Sequence, residues 1–138
     1  MKFSRNANAN WKGTGKEGKG VLSTDSSVLK DSQYSFSTRF EDGVGTNPEE
    51  LVGAALSGCF TMQLSFLLDE KGFKEKDLTT DAKVTFEDGS VSNIHLDLNG
   101  SVKGIDQKTF EEVANNAKAI CPISKLLNTN ITLTANLK

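Results

Sequence analysis

The apolar segment from Leu51 to Leu68 constrains the fold of this chain more than any other feature. It follows Asn47 and Pro48, a good helix cap and a favoured first helical residue, and two early carboxylates suit the positive end of the helix dipole. Apolar side chains then cover nearly the whole circumference until Gly72 can end the helix. Such a helix, about 24 residues and about 36 Å long, must be buried on most sides. Because one small domain can hardly wrap it, we expect a second subunit to cover part of it.

The rest of the sequence predicts an α+β protein of one domain, residues 1–138, with antiparallel sheets around this buried helix. Alternating apolar residues predict a strand over Tyr34–Phe40 that turns Arg39 away from the aromatic face. Asp88-Gly89 predicts a tight hairpin turn. The other predicted elements are strands near Trp11, 20–23, 82–86, 94–98 and 131–137, and helices that start at Asp106 and Cys121.

Composition excludes several classes of function. The chain has 16 basic and 18 acidic residues, a net charge of −2 and no basic block, which argues against a nucleic-acid partner. The first residues lack the apolar core of a signal peptide, and no stretch is expected to reach the roughly 18 apolar residues of a membrane span. We therefore expect a cytoplasmic protein with no membrane partner.

The two cysteines, Cys59 in the apolar segment and Cys121 before Pro122, offer the clearest chemistry. A structural zinc site needs four ligands, whereas here the cysteines lie 62 positions apart and His95 is the single histidine. His95 alternates with apolar neighbours and should point to a solvated strand face. The cysteines are therefore expected to react with each other or with an oxidant, without a metal or cofactor, although two inert buried thiols remain an alternative.

A reactive thiol needs a neighbour that stabilises its thiolate. Cys121 lies at a helix start, whereas Cys59 lies mid-helix among apolar groups that would raise its pKa unless a cation is near. Of the two arginines, Arg39 is the natural candidate for that cation. Its guanidinium would itself need a carboxylate, which Glu49 or Glu50 could supply.

Two motifs, TRFEDGVGTNPEELVGAALSGCF and CPISKLL, strongly resemble the OsmC branch of the OsmC/organic hydroperoxide resistance family. The start NWKGTGKEGKGVLSTDSSVL and the final ITLTANL also resemble that branch, so the resemblance covers essentially the whole chain. It implies the OsmC-like fold as an intertwined homodimer with two sites at the interface. It also implies a thiol peroxidase with Cys59 as peroxidatic thiolate, Cys121 as resolving thiol, and Arg39 with Glu49 as the activating pair.

The reaction that this resemblance implies is the reduction of organic hydroperoxides to alcohols. The eight phenylalanines favour an apolar pocket beside Cys59, so we expect hydrogen peroxide to be reduced less well. A sulfenic acid on Cys59 would condense with Cys121, and an external dithiol, which the family suggests is a lipoyl-type protein, would reopen the disulfide. The alternatives are a thiol redox sensor without turnover, an apolar-ligand-binding dimer, and a structural dimer with inert thiols.

Helix geometry raises a question about Glu49 and Cys59. Ten residues separate them, so an uninterrupted helix puts them about 15 Å apart along its axis and on different faces. Either the helix breaks, near Gly53 or Ser57-Gly58, or Glu49 and Arg39 serve Cys59 of the partner subunit. We favour the second, because the same helix already requires a partner.

Overall fold

The computed structural model describes every residue of the chain, Met1–Lys138, as two units, residues 1–51 and 52–138. The first unit contains an antiparallel sheet of β1 (Ala7–Lys12), β2 (Lys19–Thr24) and β3 (Ser32–Tyr34), in that order. Gly20 lies opposite both Trp11 and Tyr34, where a Cβ would come within 2.5 Å of the tyrosine ring. A glycine at this position therefore lets the two rings pack with their centroids 5.4 Å apart.

A short helix, α1 (Phe36–Phe40), replaces the strand predicted over Tyr34–Phe40. The Ser35 hydroxyl accepts a hydrogen bond from the Thr38 backbone N–H at 3.2 Å, and the Thr38 hydroxyl accepts one from the Ser35 N–H at 2.8 Å. This reciprocal capping box satisfies two donors at the helix start, and it outweighs the period-two pattern. Arg39 therefore lies in the last turn of a helix, and the prediction that strand alternation orients it is wrong.

The predicted long helix, α2 (Pro48–Glu70), is present and uninterrupted. Asn47 caps it, because its side-chain oxygen accepts a hydrogen bond from the Glu50 N–H at 2.8 Å. At the other end Gly72 takes the left-handed conformation (φ +89°), and the Phe73 N–H donates to the Leu68 carbonyl at 2.9 Å. A break near Gly53 or Ser57-Gly58 is thus excluded for this chain.

The second unit contains a sheet in the order β4-β5-β6 and two helices that lie between β5 and β6 in the chain. Its strands are β4 (Lys76–Glu87), β5 (Ser90–Val102) and β6 (Asn130–Leu137), and its helices are α3 (Gln107–Ile120) and α4 (Pro122–Leu126). The predicted Asp88-Gly89 turn joins β4 to β5, with both residues at positive φ. The α+β class is confirmed, but the sheet is mixed: β6 runs parallel to β5, because α3 and α4 form a crossover between them.

One face of α2 forms the core of the second unit. Its Leu56, Phe60, Leu64 and Leu68 are fully buried, together with the apolar face of β5 and the inner face of α3. The other face of α2 carries Ala55, Gly58, Met62 and Phe66, which we call the exposed α2 stripe. Met62 is 62% exposed and Phe66 55% exposed, so this chain alone leaves part of the helix uncovered.

The expectation that no stretch is apolar enough to span a membrane is wrong as far as length and composition are concerned. An 18-residue window of α2 has a mean hydropathy of 1.7, so the helix is long and apolar enough to cross a membrane. Four of its residues, including Leu56 and Phe60, are nevertheless fully buried against protein, as in a core helix.

Candidate active site

The two cysteines, 62 positions apart in sequence, lie side by side in the second unit. The Cys121 thiol donates a hydrogen bond to Cys59 Sγ over 2.8 Å, and both thiols are free. A disulfide bond is about 2.05 Å long, so a small rotation of either side chain would bring the sulfurs into bonding distance. The predicted proximity of the cysteines is confirmed.

Regular secondary structure holds both cysteines in place. Cys59 lies in the middle of α2, whereas Cys121 is the single residue between α3 and α4. The Cys121 N–H donates to the Ala117 carbonyl at 2.9 Å, and its carbonyl accepts from the Lys125 N–H at 3.1 Å. The backbone of Cys121 is thereby fixed from both sides, which leaves its χ1 rotation as the main freedom of the sulfur.

The two sulfurs differ in their exposure to solvent. Cys121 is 0% exposed and belongs to the buried core, whereas Cys59 is half-buried at its edge. A reactant from solvent can therefore reach Cys59 far more readily than Cys121.

The surroundings of Cys59 oppose ionisation of its thiol. Burial raises the pKa of Cys59, its hydrogen bond with the Cys121 side chain raises that pKa further, and repulsion from a charge on Cys121 adds the smallest contribution. The backbone N–H of Ile123 donates to Cys59 and lowers its pKa, but the net shift is upward. Sequence reasoning missed this Ile123 contact, although the Cys-Pro helix start signals unpaired amides in the first turn.

Arg39 and Glu49 form an ion pair in the first unit. The arginine Nε and Nη2 both lie close to Glu49 Oε1, at 2.8 and 2.7 Å. The Arg39 side chain is 40% exposed, and its guanidinium also lies 5.2 Å from the centre of the Phe40 ring. Of the two carboxylates that could hold Arg39, Glu49 does so, whereas Glu50 accepts a hydrogen bond from the Thr46 hydroxyl at 2.7 Å.

The second oxygen of Glu49 is an acceptor in need of a donor. Glu49 Oε2 is buried and has no hydrogen-bond partner in this chain. A buried carboxylate oxygen without a donor costs on the order of 1–3 kcal/mol or more, so this atom favours the arrival of a donor from a ligand or another chain.

His95 lies on the polar face of the β4-β5-β6 sheet, as predicted. Its two ring nitrogens lie 2.7 Å from the Thr132 hydroxyl and 3.0 Å from that of Thr134. No group of three or more histidine, cysteine or acidic side chains is placed to hold a metal ion.

Fold and site together define an α+β protein with two free cysteines held almost within bonding distance. The family model for OsmC-like proteins matches residues 40–136. Peroxiredoxin OsmC of Escherichia coli (strain K12) is 43% identical over 142 residues, which span 100% of this chain and 99% of that protein. The chain therefore belongs to the OsmC-like protein family, as the sequence motifs predicted.

A second branch of the family is also similar. The organic hydroperoxide resistance protein OhrB of Bacillus subtilis (strain 168) is 28% identical over 122 residues, which span 86% of this chain and 89% of that protein. The crystal structure of OhrB of Bacillus subtilis superposes with a TM-score of 0.67 at 24% identity and covers 99% of this chain and 98% of the other. That likeness confirms the predicted OsmC-like fold of the single chain.

Proposed function

We propose that this protein is a cysteine-based thiol peroxidase that reduces organic hydroperoxides to alcohols. The observation that carries the proposal is the 2.8 Å contact between the half-buried Cys59 and the buried Cys121. Relatives named as a peroxiredoxin and as organic hydroperoxide resistance proteins support the same chemistry.

The reaction starts at the more accessible sulfur. The Cys59 thiolate attacks the terminal oxygen of the hydroperoxide, the O–O bond breaks, and the alkoxide takes a proton to leave as the alcohol. Cys59 is then a sulfenic acid. The Cys121 sulfur attacks it, the S–O bond breaks, and hydroxide leaves and becomes water.

The fixed positions of the cysteines support a disulfide that forms without local unfolding. Cys59 is held by α2 and the backbone of Cys121 by two hydrogen bonds, so only a side-chain rotation is needed. A short path to the disulfide also protects Cys59 from further oxidation to sulfinic acid.

Cys59 needs a cation to ionise readily, because its own chain raises its pKa. We assign that role to Arg39, with Glu49 orienting the guanidinium, and the arginine would also stabilise the charge that develops on the leaving oxygen. Because α2 is uninterrupted, the ten residues from Glu49 to Cys59 rise about 15 Å along one helix. We therefore propose that Arg39 and Glu49 act on Cys59 of the partner subunit.

The partner in this proposal is a second copy of the chain. The exposed α2 stripe, with Met62 and Phe66 more than half exposed, is the surface we expect the second copy to cover. Glu49 Oε2 supports the same arrangement, since this buried oxygen has no hydrogen-bond donor within one chain. We also propose that residues 1–138 form a single domain.

A dithiol must regenerate the enzyme. We propose a lipoyl-type protein thiol as the natural reductant. We also propose that the enzyme prefers apolar organic hydroperoxides to hydrogen peroxide. A cytoplasmic location fits this cycle, because free thiols persist there. The protein itself then needs no bound cofactor.

A steady-state assay tests this function. The protein is mixed with cumene hydroperoxide or hydrogen peroxide and excess dithiothreitol, and peroxide loss is followed. We expect many equivalents of cumene hydroperoxide to be consumed per chain and no turnover for Cys59→Ser. In the absence of dithiothreitol, Cys121→Ser should consume one equivalent and retain a sulfenic acid on Cys59. Consumption of a single equivalent by the native protein would instead indicate a redox sensor.

A further inference from the structure

The geometry of the cysteine pair determines which sulfur of the disulfide an outside thiol can reach. Thiol–disulfide exchange requires the attacking thiolate to approach one sulfur in line with the bond that breaks. The two sulfurs are unequal in this respect, because Cys121 is 0% exposed and Cys59 is half-buried.

In each displacement at sulfur, the attacking atom approaches opposite the bond that breaks, so the direction of one step sets the direction of the next. The peroxide oxygen bonds to Cys59 along the direction from which the peroxide arrives. Cys121 then attacks Cys59 opposite that S–O bond, so the new S–S bond points away from the entrance. A thiolate that attacks Cys59 in line with the S–S bond must therefore come through the opening that the peroxide used.

We propose that the reductant attacks Cys59, not Cys121, and enters by the path of the peroxide; this rests on the peroxidase function proposed above. The first thiolate of the dithiol bonds to Cys59 Sγ, the S–S bond breaks, and Cys121 leaves as a thiolate. The second thiol of the reductant then displaces Cys59 from the mixed disulfide, so the dithiol is oxidised and both cysteines are reduced.

Access decides against the opposite direction of attack. Approach to Cys121 in line with the disulfide has to come from the side of Cys121 remote from Cys59, and Cys121 is 0% exposed within the buried core of the second unit. In an attack on Cys121, the leaving group is Cys59. A lowered pKa of Cys59 in the dimer would increase the rate of that attack by about threefold for each pKa unit. A factor of that size does not compensate for a blocked approach.

Limited reduction with a monothiol tests the inference. The protein is oxidised with one equivalent of cumene hydroperoxide, mixed briefly with 2-mercaptoethanol, acid-quenched, and alkylated with iodoacetamide. Trypsin separates the cysteines into peptides 40–71 and 119–125. We expect the mercaptoethanol adduct on Cys59 and the alkyl group on Cys121, with a bias of about tenfold or more.

A control in denaturant shows whether the fold causes the bias. The same oxidised protein, treated in guanidinium chloride, should carry the adduct on both peptides. An adduct mainly on peptide 119–125, or an even distribution in the folded protein, would overturn the inference. If peroxide produces no Cys59–Cys121 disulfide at all, the proposed peroxidase function fails instead.

Discussion

Subunit mixing tests whether one active site is shared between two chains. We consider two inactive variants, Cys59→Ser and Glu49→Ala. In a twofold dimer with shared sites, a mixed dimer combines Cys59 of one chain with Glu49 of the other in one intact site. Random exchange of equal amounts makes about half of the dimers mixed, each with one of its two sites restored. The mixture should therefore regain about one quarter of the native peroxide-reduction rate.

The structure supplies a matched control for this experiment. Cys59 and Cys121 contact each other within one chain, so mixing Cys59→Ser with Cys121→Ser should restore no turnover. Subunit exchange is verified by native mass spectrometry of a tagged variant. If exchange is complete and the Cys59→Ser and Glu49→Ala mixture stays inactive, the shared site is wrong, and helix geometry no longer accounts for a role of Glu49.

Three further predictions follow from local contacts. Arg39→Lys should slow peroxide reduction by roughly 10²-fold, nearly as much as Arg39→Ala. The reason is that lysine lacks the planar guanidinium, which places two nitrogens on Glu49 Oε1. A near-native rate for Arg39→Lys would show that the positive charge alone suffices. Arg39→Ala should raise the pKa of Cys59, since burial already raises that pKa and the variant lacks the cation that we propose beside the thiolate in the dimer. The ultraviolet absorbance of the thiolate against pH reports the midpoint, and an unchanged midpoint would contradict the proposed role of Arg39. The hydrogen bond from Lys76 holds the pKa of Asp69 below its ordinary value of 3.8, so the stability that the ionised Asp69 adds is present above that pH and is lost as the pH falls. In urea unfolding, the native protein should therefore be more stable than Asp69→Asn near neutral pH and lose that advantage in acid. A constant difference between the two proteins would refute this linkage.

Local chemistry made several elements predictable from sequence. The Asn47-Pro48 cap, the Asp106 cap and the Asp88-Gly89 turn each depend on side chains within a few residues, and each is found in the structure. The helix at Arg39 was missed because the aromatic alternation was weighed above Ser35 and Thr38, whose spacing matches a capping box. Strand direction was also missed: only the crossover through α3 and α4 makes β6 parallel to β5, and no local pattern encodes it.

The candidate site was partly predictable for the same reason. The family motifs pointed to Cys59, Cys121, Arg39 and Glu49, and the structure brings them together as two pairs, the cysteines in one unit and the ion pair in the other. The Ile123 amide contact and the unpartnered Glu49 Oε2 depend on tertiary geometry, so no sequence pattern specifies them.

In the proposed cycle, peroxide oxidises Cys59 and Cys121 resolves it within the same chain. The most direct test is the mass of the fully reduced protein after one equivalent of cumene hydroperoxide, with a peptide map under non-reducing conditions. We expect a loss of two hydrogens per chain and a disulfide between peptides 40–71 and 119–125. An unchanged mass, a stable gain of oxygen, or a disulfide between chains would contradict it.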